Sequence, residues 1–244
     1  MNKPVLGVVG GVGPLATAYF MKTVIQKTPA SSDQDNIPMI VFNDPQIPDR
    51  TAFILDNSNP DPTEELTKVA RWLEAAQADY LAIPCNTAHY FYQAIVDAVD
   101  IPVLNIMQET AREILRRLGH AGSVGLLATE GTASSGVFQG YLADCGLDTV
   151  LPTPEEQARV TSLIYDGVKA GNPTDPQELV QLGQLLRDRG CDMVISGCTE
   201  LSVLYQELAD DDRPDWLVDS MDVLAERCVS VYLHEHALNS DMVM

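Results

Sequence analysis

A chain of 244 residues with 45% hydrophobic and 20% charged side chains carries enough apolar material for one large or two small domains with proper cores. Fifteen Lys and Arg against 35 Asp and Glu leave a formal charge of -20, which argues against nucleic acid or an anionic membrane as partner but allows a small acidic ligand held by a few local cations. Five cysteines are too sparse and odd in number for a secreted disulfide scaffold, so thiols in a reducing cytoplasm are expected; the apolar run after Pro4 is too short for a signal segment, and no run reaches membrane-spanning length.

Residues 5–9 form a short β-branched run ending in Gly10-Gly11-Val12-Gly13-Pro14, after which Leu15, Ala18, Tyr19, Met21, Val24 and Ile25 recur at helical spacing. This predicts strand, glycine turn and helix. Residues 39–42 read as a second buried strand, followed by a polar, proline-rich loop that ends in Arg50; loops after strands carry function, which makes Arg50 a candidate. Asp61-Pro62-Thr63-Glu64 supplies an N-cap, a proline at the first helical position and a glutamate at the third, ahead of an apolar face of Leu66, Val69, Ala70 and Leu73. Residues 80–83 then predict a strand buried on both faces and leading to Cys85, residues 88–99 a helix, residues 102–107 another strand, and the stretch to Leu118 a helix.

From there the order of elements starts again. Residues 124–128 are a strand, Asp175-Pro176-Gln177-Glu178 repeats the earlier helix start, and Leu179, Leu182, Leu185 and Leu186 supply its face. Asp192 precedes Cys198 by six residues, as Asp79 precedes Cys85, and most such landmarks recur at an offset of 113 or 114 residues, while Gly125 and Gly131 match the spacing of Gly7 and Gly13. An internal duplication is the reading, with alternating strands and helices building parallel sheets flanked by helices. Ligands bind beyond the carboxyl ends of such strands, so two copies facing each other bring Cys85 and Cys198 into one cleft.

A thiol just before a helix faces the helix's positive end, which predicts a pKa below the ordinary value of about 8.5 for one of the two. A thiolate and a thiol on opposite sides of a carbon can take a proton from one face and return one to the other, inverting the centre, with a bell-shaped dependence of rate on pH. A free cysteine otherwise packs as a small hydrophobe, and Cys145, Cys191 and Cys228 are assigned to that class. Neither a close Cys-x-x-Cys pair nor His-Glu-x-x-His is present, and no metal is expected.

Through Gly10-Gly11-Val12-Gly13-Pro14, Pro48-Asp49-Arg50, Pro84-Cys85-Asn86-Thr87-Ala88-His89, Gly167-Val168-Lys169 and Gly197-Cys198-Thr199-Glu200-Leu201, the chain resembles the cofactor-independent aspartate/glutamate racemase family. The resemblance runs from about Val5 to Leu204. It implies a pseudo-symmetric two-domain α/β fold with the active site in the interdomain cleft, the first domain spanning residues 1–102 plus 213–244 and the second residues 103–212. It implies a homodimer, no cofactor, and a small dicarboxylic amino acid as substrate. Cys85 and Cys198 would be the catalytic pair. Asn86, Thr87 and Thr199 would contact the α-amino and α-carboxylate groups with Thr129 and Thr132 nearby, and Arg50 and Lys169 would hold the side-chain carboxylate. Family members often carry methionine or threonine where this chain has Val12, which bears on substrate length at the cleft edge. His89, one helical turn after Cys85, is a candidate third acid/base group or an orienting residue, and Glu200 a candidate orienting group.

Other readings compete. Gly11-Val12-Gly13-Pro14-Leu15-Ala16 fits a permissive dinucleotide fingerprint, but no acidic residue ends the second strand at the expected distance and Pro14 stiffens the turn. Maleate isomerases, hydantoin racemases and arylmalonate decarboxylases keep the cysteine pair with other substrates, and a binding protein for an acidic amino acid could keep the site without turnover. Arg50 with Lys169 favours a dicarboxylate and Asn86 with Thr87 an amino acid.

Overall fold

The computed structural model describes the backbone of residues 3–241 and the side chains of residues 3–234; residues 1–2 and 242–244 of the expected first domain lie outside the described residues. Apolar runs pair into two all-parallel sheets of four strands. The first contains β1 (Leu6–Gly10), β2 (Met39–Asn43), β3 (Tyr80–Ala82) and β4 (Val103–Leu104) in the order β2-β1-β3-β4. The second contains β5 (Gly122–Leu127), β6 (Leu147–Val150), β7 (Met193–Ser196) and β8 (Leu217–Asp219) in the order β6-β5-β7-β8, so the two halves share one strand order. In each, the first strand is central: Leu6 sits between Met39 and Tyr80, and Val124 between Thr149 and Met193.

The helices are α1 (Pro14–Lys27), α2 (Arg50–Leu55), α3 (Thr63–Ala75), α4 (Tyr92–Val96), α5 (Ile106–Leu118), α6 (Glu130–Ser135), α7 (Val137–Asp144), α8 (Pro154–Ser162), α9 (Gln177–Asp188), α10 (Thr199–Glu207) and α11 (Ser220–Asp241), with a π-helical stretch at Leu163–Lys169. The apolar face of α3 covers the outer side of the first sheet, packing Leu66, Val69 and Leu73 near Val9 and Leu81. On the second sheet, Leu179, Leu182 and Leu186 of α9 cluster with Leu127 and Val194. Between the sheets runs one continuous core, in which Phe20 of α1, Ile106 and Ile114 of α5, Phe138 of α7 and Leu224 of α11 join Leu6 and Val8 to Val124 and Leu126. Each such side chain contributes about 1.5 to 3 kcal/mol by leaving water, which ties the halves together at the back and leaves their strand ends to form the cleft.

Three expectations are corrected. The strand pairing shifts the divisions anticipated at residues 102/103 and 212/213: β4 hydrogen-bonds to β3 and completes the first sheet, β8 pairs with β7 and completes the second, and it is α11 that returns to pack on α1 of the first half. The helix anticipated over residues 88–99 is a 3₁₀ turn at Thr87–Phe91 followed by α4, because the His89 side chain bonds the Cys85 carbonyl and the His89 amide turns to Asn86 instead. Helix α3 begins at Thr63, one residue past the anticipated proline start, with Asp61 Oδ1 accepting from the Thr63 amide.

Candidate active site

Strand β3 ends three residues before Cys85 and β7 two residues before Cys198, so matching turns deliver both thiols to the cleft at the carboxyl ends of their sheets. They line one chamber with Val12, Asp49, Arg50, Thr51, Asn86, Thr87, Thr129, Lys169, Thr199 and Glu200. Its free volume of about 10 Å³ suits roughly one water molecule. Outside it lies a vestibule of about 420 Å³ walled by Pro14, Leu15, Pro45, Ile47 and Val168. Asp49, Arg50, Lys169 and Glu200 line both spaces and so form a charged neck between them.

All the residues expected at the site are gathered here except Thr132 and His89, which stand behind it. The Thr132 hydroxyl lies 3.0 Å from that of Thr87 and 3.1 Å from that of Thr129, closing a triangle of hydroxyls across the two halves. Thr129 also caps α6 by accepting from the Thr132 amide. His89 is buried; its Nδ1 donates to the Cys85 carbonyl at 2.8 Å and its Nε2 accepts from the Ile106 amide at 3.2 Å. Burial pushes its pKa down to about 4 against the backbone groups of Cys85 and Leu104, which favour the charged ring, and the ring is neutral with both nitrogens engaged. This arrangement orients the turn and leaves no nitrogen for proton exchange with a substrate.

Sequence reasoning missed Asp49 and Thr51. Asp49 accepts from the Ala52 amide as the N-cap of α2 and lies 3.9 Å from Lys169 Nζ; the aspartate before a helical run was the available signal. Thr51 hydrogen-bonds Tyr165 of the π-helical stretch, and no local pattern points to that contact.

Four charged groups set the field. Arg50 is only 8% exposed, and its Nη1 donates to the carbonyls of Ile47 and Pro48; among the described residues its Nε has no partner and its guanidinium forms no ion pair. Lys169 Nζ lies 4.2 Å from the centre of the Tyr165 ring. Burial pulls the lysine's pKa down, but Glu200, Cys198, Tyr165 and Asp49 together hold it above the ordinary value. Glu200 is buried, and its Oε1 sits where a Cβ on residue 13 would fall, 2.4 Å away, so Gly13 is the residue that admits it.

The thiols correct the expectation of a lowered pKa. Burial raises Cys85, with Arg50 opposing; burial and then the Glu200 charge raise Cys198 well above the ordinary value, and its Sγ donates to Glu200 Oε2 at 3.0 Å. A helix terminus is worth about 0.3 to 1 kcal/mol, whereas full burial shifts a pKa by up to about 3 to 5 units, so desolvation wins. Both thiols are protonated at neutral pH in this closed arrangement, and Cys85, facing Arg50, is the less strongly held of the two. Among the described residues no group of three or more His, Cys, Asp or Glu is placed to hold a metal ion.

Residues 9–228 match the model of the Asp/Glu/Hydantoin racemase family. The chain is 31% identical over 239 residues to the broad specificity amino-acid racemase RacX of Bacillus subtilis, covering 93% of this chain and 98% of that one. In structure it is similar to the Picrophilus torridus aspartate racemase, with a TM-score of 0.78 and 28% identity over 94% of each chain. It also shares the fold of an aspartate racemase homologue from Pyrococcus horikoshii, with a TM-score of 0.75 and 24% identity over 95% of this chain and 99% of that one.

Proposed function

The chain belongs to the Asp/Glu/Hydantoin racemase family, and from that premise we propose that it interconverts the L and D forms of an acidic amino acid by proton transfer between Cys85 and Cys198. One observation carries the reading: two thiols from corresponding turns of the two halves line a single chamber. In the forward sense one thiolate takes the Cα proton and becomes a thiol, and the opposite thiol gives its proton to the other face of the carbanion and becomes a thiolate. Atoms and charge balance without a cofactor, and the two cysteines end with exchanged protonation states, ready for the reverse enantiomer. Arg50 favours the charged form of Cys85, and the Glu200 carboxylate, accepting from Cys198 Sγ, favours the protonated form of Cys198.

Arg50 supports a substrate with a second carboxylate, since its Nε is buried without a partner and a carboxylate would be its natural complement; Lys169 across the neck adds a second cation. Asn86, Thr87 and Thr199 would supply donors to the α-carboxylate, where charge builds as the proton leaves. Aspartate and glutamate are the substrates this reading selects. A reaction that depends on free thiols suits a reducing cytoplasm, and the family resemblance points to a homodimer.

Purified protein without added pyridoxal phosphate is expected to abolish the optical activity of L-aspartate or L-glutamate, and both Cys85→Ala and Cys198→Ala to stop it; full racemisation by either variant would refute the pair. The vestibule favours a second reading, in which side chains longer than glutamate are also accepted, as the name of the Bacillus subtilis relative suggests for that protein. A chiral assay over neutral and acidic amino acids decides between them. Under the second reading Val168→Trp depresses turnover of long side chains while sparing aspartate; equal effects on all substrates would remove it.

A further inference from the structure

Behind each cysteine turn, outside the chamber, stands a polar device that the chemistry above leaves unused. In the first half it is His89, which ties the Cys85 carbonyl to the Ile106 amide at the start of α5. The helix start itself is fixed by Asn105, whose Oδ1 accepts from the amides of Met107 and Gln108, both at 3.0 Å. The counterparts of these residues in the second half are Ser202, 113 residues after His89, and Asp219, 114 residues after Asn105.

The second device stands in the matching place with different chemistry. The Ser202 hydroxyl donates to the Cys198 carbonyl in a long bond of 3.5 Å, and Asp219 Oδ1 accepts from the Asp222 amide at 2.8 Å, fixing the start of α11. Asp219 is 3% exposed and among the described residues its Oδ2 has no well-formed partner, although the hydroxyls of Ser196 and Ser202 flank it. Ser220, the next residue, donates to the Ser196 carbonyl at 2.8 Å and accepts from Asn86 Nδ2 at 2.9 Å, so the same cluster reaches the other cysteine turn. A buried carboxyl with one orphaned oxygen is costly to keep, and buried polar groups on this scale demand an explanation beyond packing.

We propose that His89 and Asp219 are matching positioning residues, His89 setting the turn that presents Cys85 and Asp219, through Ser202, setting the turn that presents Cys198. Each governs one of the two proton transfers. The inference rests on the two-cysteine racemase reading, and its test separates the two: absence of racemisation by the unaltered protein overturns the reading itself.

The readout is the deuterium isotope effect on kcat/KM with Cα-deuterated L and D substrate. Loosening the Cys85 turn makes its transfer limiting. The effect then grows from the enantiomer that Cys85 deprotonates and shrinks from the other, where the Cα–D bond breaks in the step that is no longer limiting. His89→Ala and Asp219→Ala are each expected to lower kcat/KM by about tenfold or more and to shift the isotope effects in opposite senses. His89→Asn, which keeps a donor at the Nδ1 position, and Asp219→Asn, which keeps a neutral hydrogen-bonding group, retain the unaltered pattern. If Asp219→Ala does not fold, Ser202→Ala removes the same link at smaller cost and shifts in the Asp219 sense. A shift of the same sign in both series, or none in either while racemisation persists, overturns the proposal.

Discussion

Glu200 governs the more strongly protonated of the two thiols. It accepts the Cys198 Sγ proton at 3.0 Å, and its charge is the largest influence on that thiol after burial, so it keeps the cysteine in its acid form. Glu200→Gln removes the repulsion that a thiolate would meet there. The sign follows: the Cys198 pKa falls toward the ordinary thiol value, and the acidic limb of the rate against pH moves to lower pH. In the unaltered protein that limb is expected on the alkaline side of the ordinary thiol value, because burial raises both cysteines. The pH dependence of thiol alkylation, read separately in Cys85→Ser and Cys198→Ser backgrounds, checks both statements. A limb that stays put or moves upward in Glu200→Gln would show that the carboxylate does not control the thiol.

The junction of β8 with α11 carries its own pH dependence. Asp219 is fully buried there, and burial raises its pKa from 3.8 to about 7. Its folded value lies above its unfolded one, so the stability it contributes is complete below about pH 4, is lost as pH rises toward 7, and leaves a cost on the order of a few kcal/mol beyond that. Asp219→Asn is therefore expected to raise the melting temperature at pH 8 and to change it little at pH 4; equal shifts at both would contradict the assignment. At this scale much was legible in the chain. Short apolar runs, the paired Asp-Pro helix starts and the turns around Cys85 and Cys198 are local grammar, and local grammar survives folding. What escaped was set by contacts distant in sequence. The 3₁₀ turn after Cys85 exists because His89 takes its carbonyl, β4 and β8 find their sheets by pairing, and the wide turn of Leu163–Lys169 that sets Lys169 over Tyr165 has no sequence period of its own. The direction of the thiol pKa escaped too, since a helix start is visible in a sequence and the depth of burial is not.

Over the whole molecule the halves make room for each other. Gly13 of the first half admits the Glu200 carboxylate of the second, and Gly131, matched to it by spacing, admits the Thr51 backbone of the first, where a Cβ would lie 2.9 Å from the Thr51 Cα. A flexible side chain can yield but a backbone cannot, so Gly131→Val acts as a wedge between α6 and α2. The shared core lies at the back of the molecule, so the fold is expected to persist while the cleft is held open and racemisation drops by about tenfold or more, since a misplacement of about 1 Å can cost that much. Faster alkylation of Cys85 and Cys198 with an unchanged far-ultraviolet circular dichroism spectrum is the check; alkylation at the unaltered rate would mean the cleft had not opened. The chamber of about 10 Å³ has a consequence for the protein's durability as well. Thiols that are shut away and protonated are poor targets for peroxide, because oxidation begins at an exposed thiolate. If the proposed reaction opens the cleft, damage is expected to follow use: a resting molecule would keep its cysteines through an oxidative episode, whereas one cycling through substrate would expose them at every opening and wear out first.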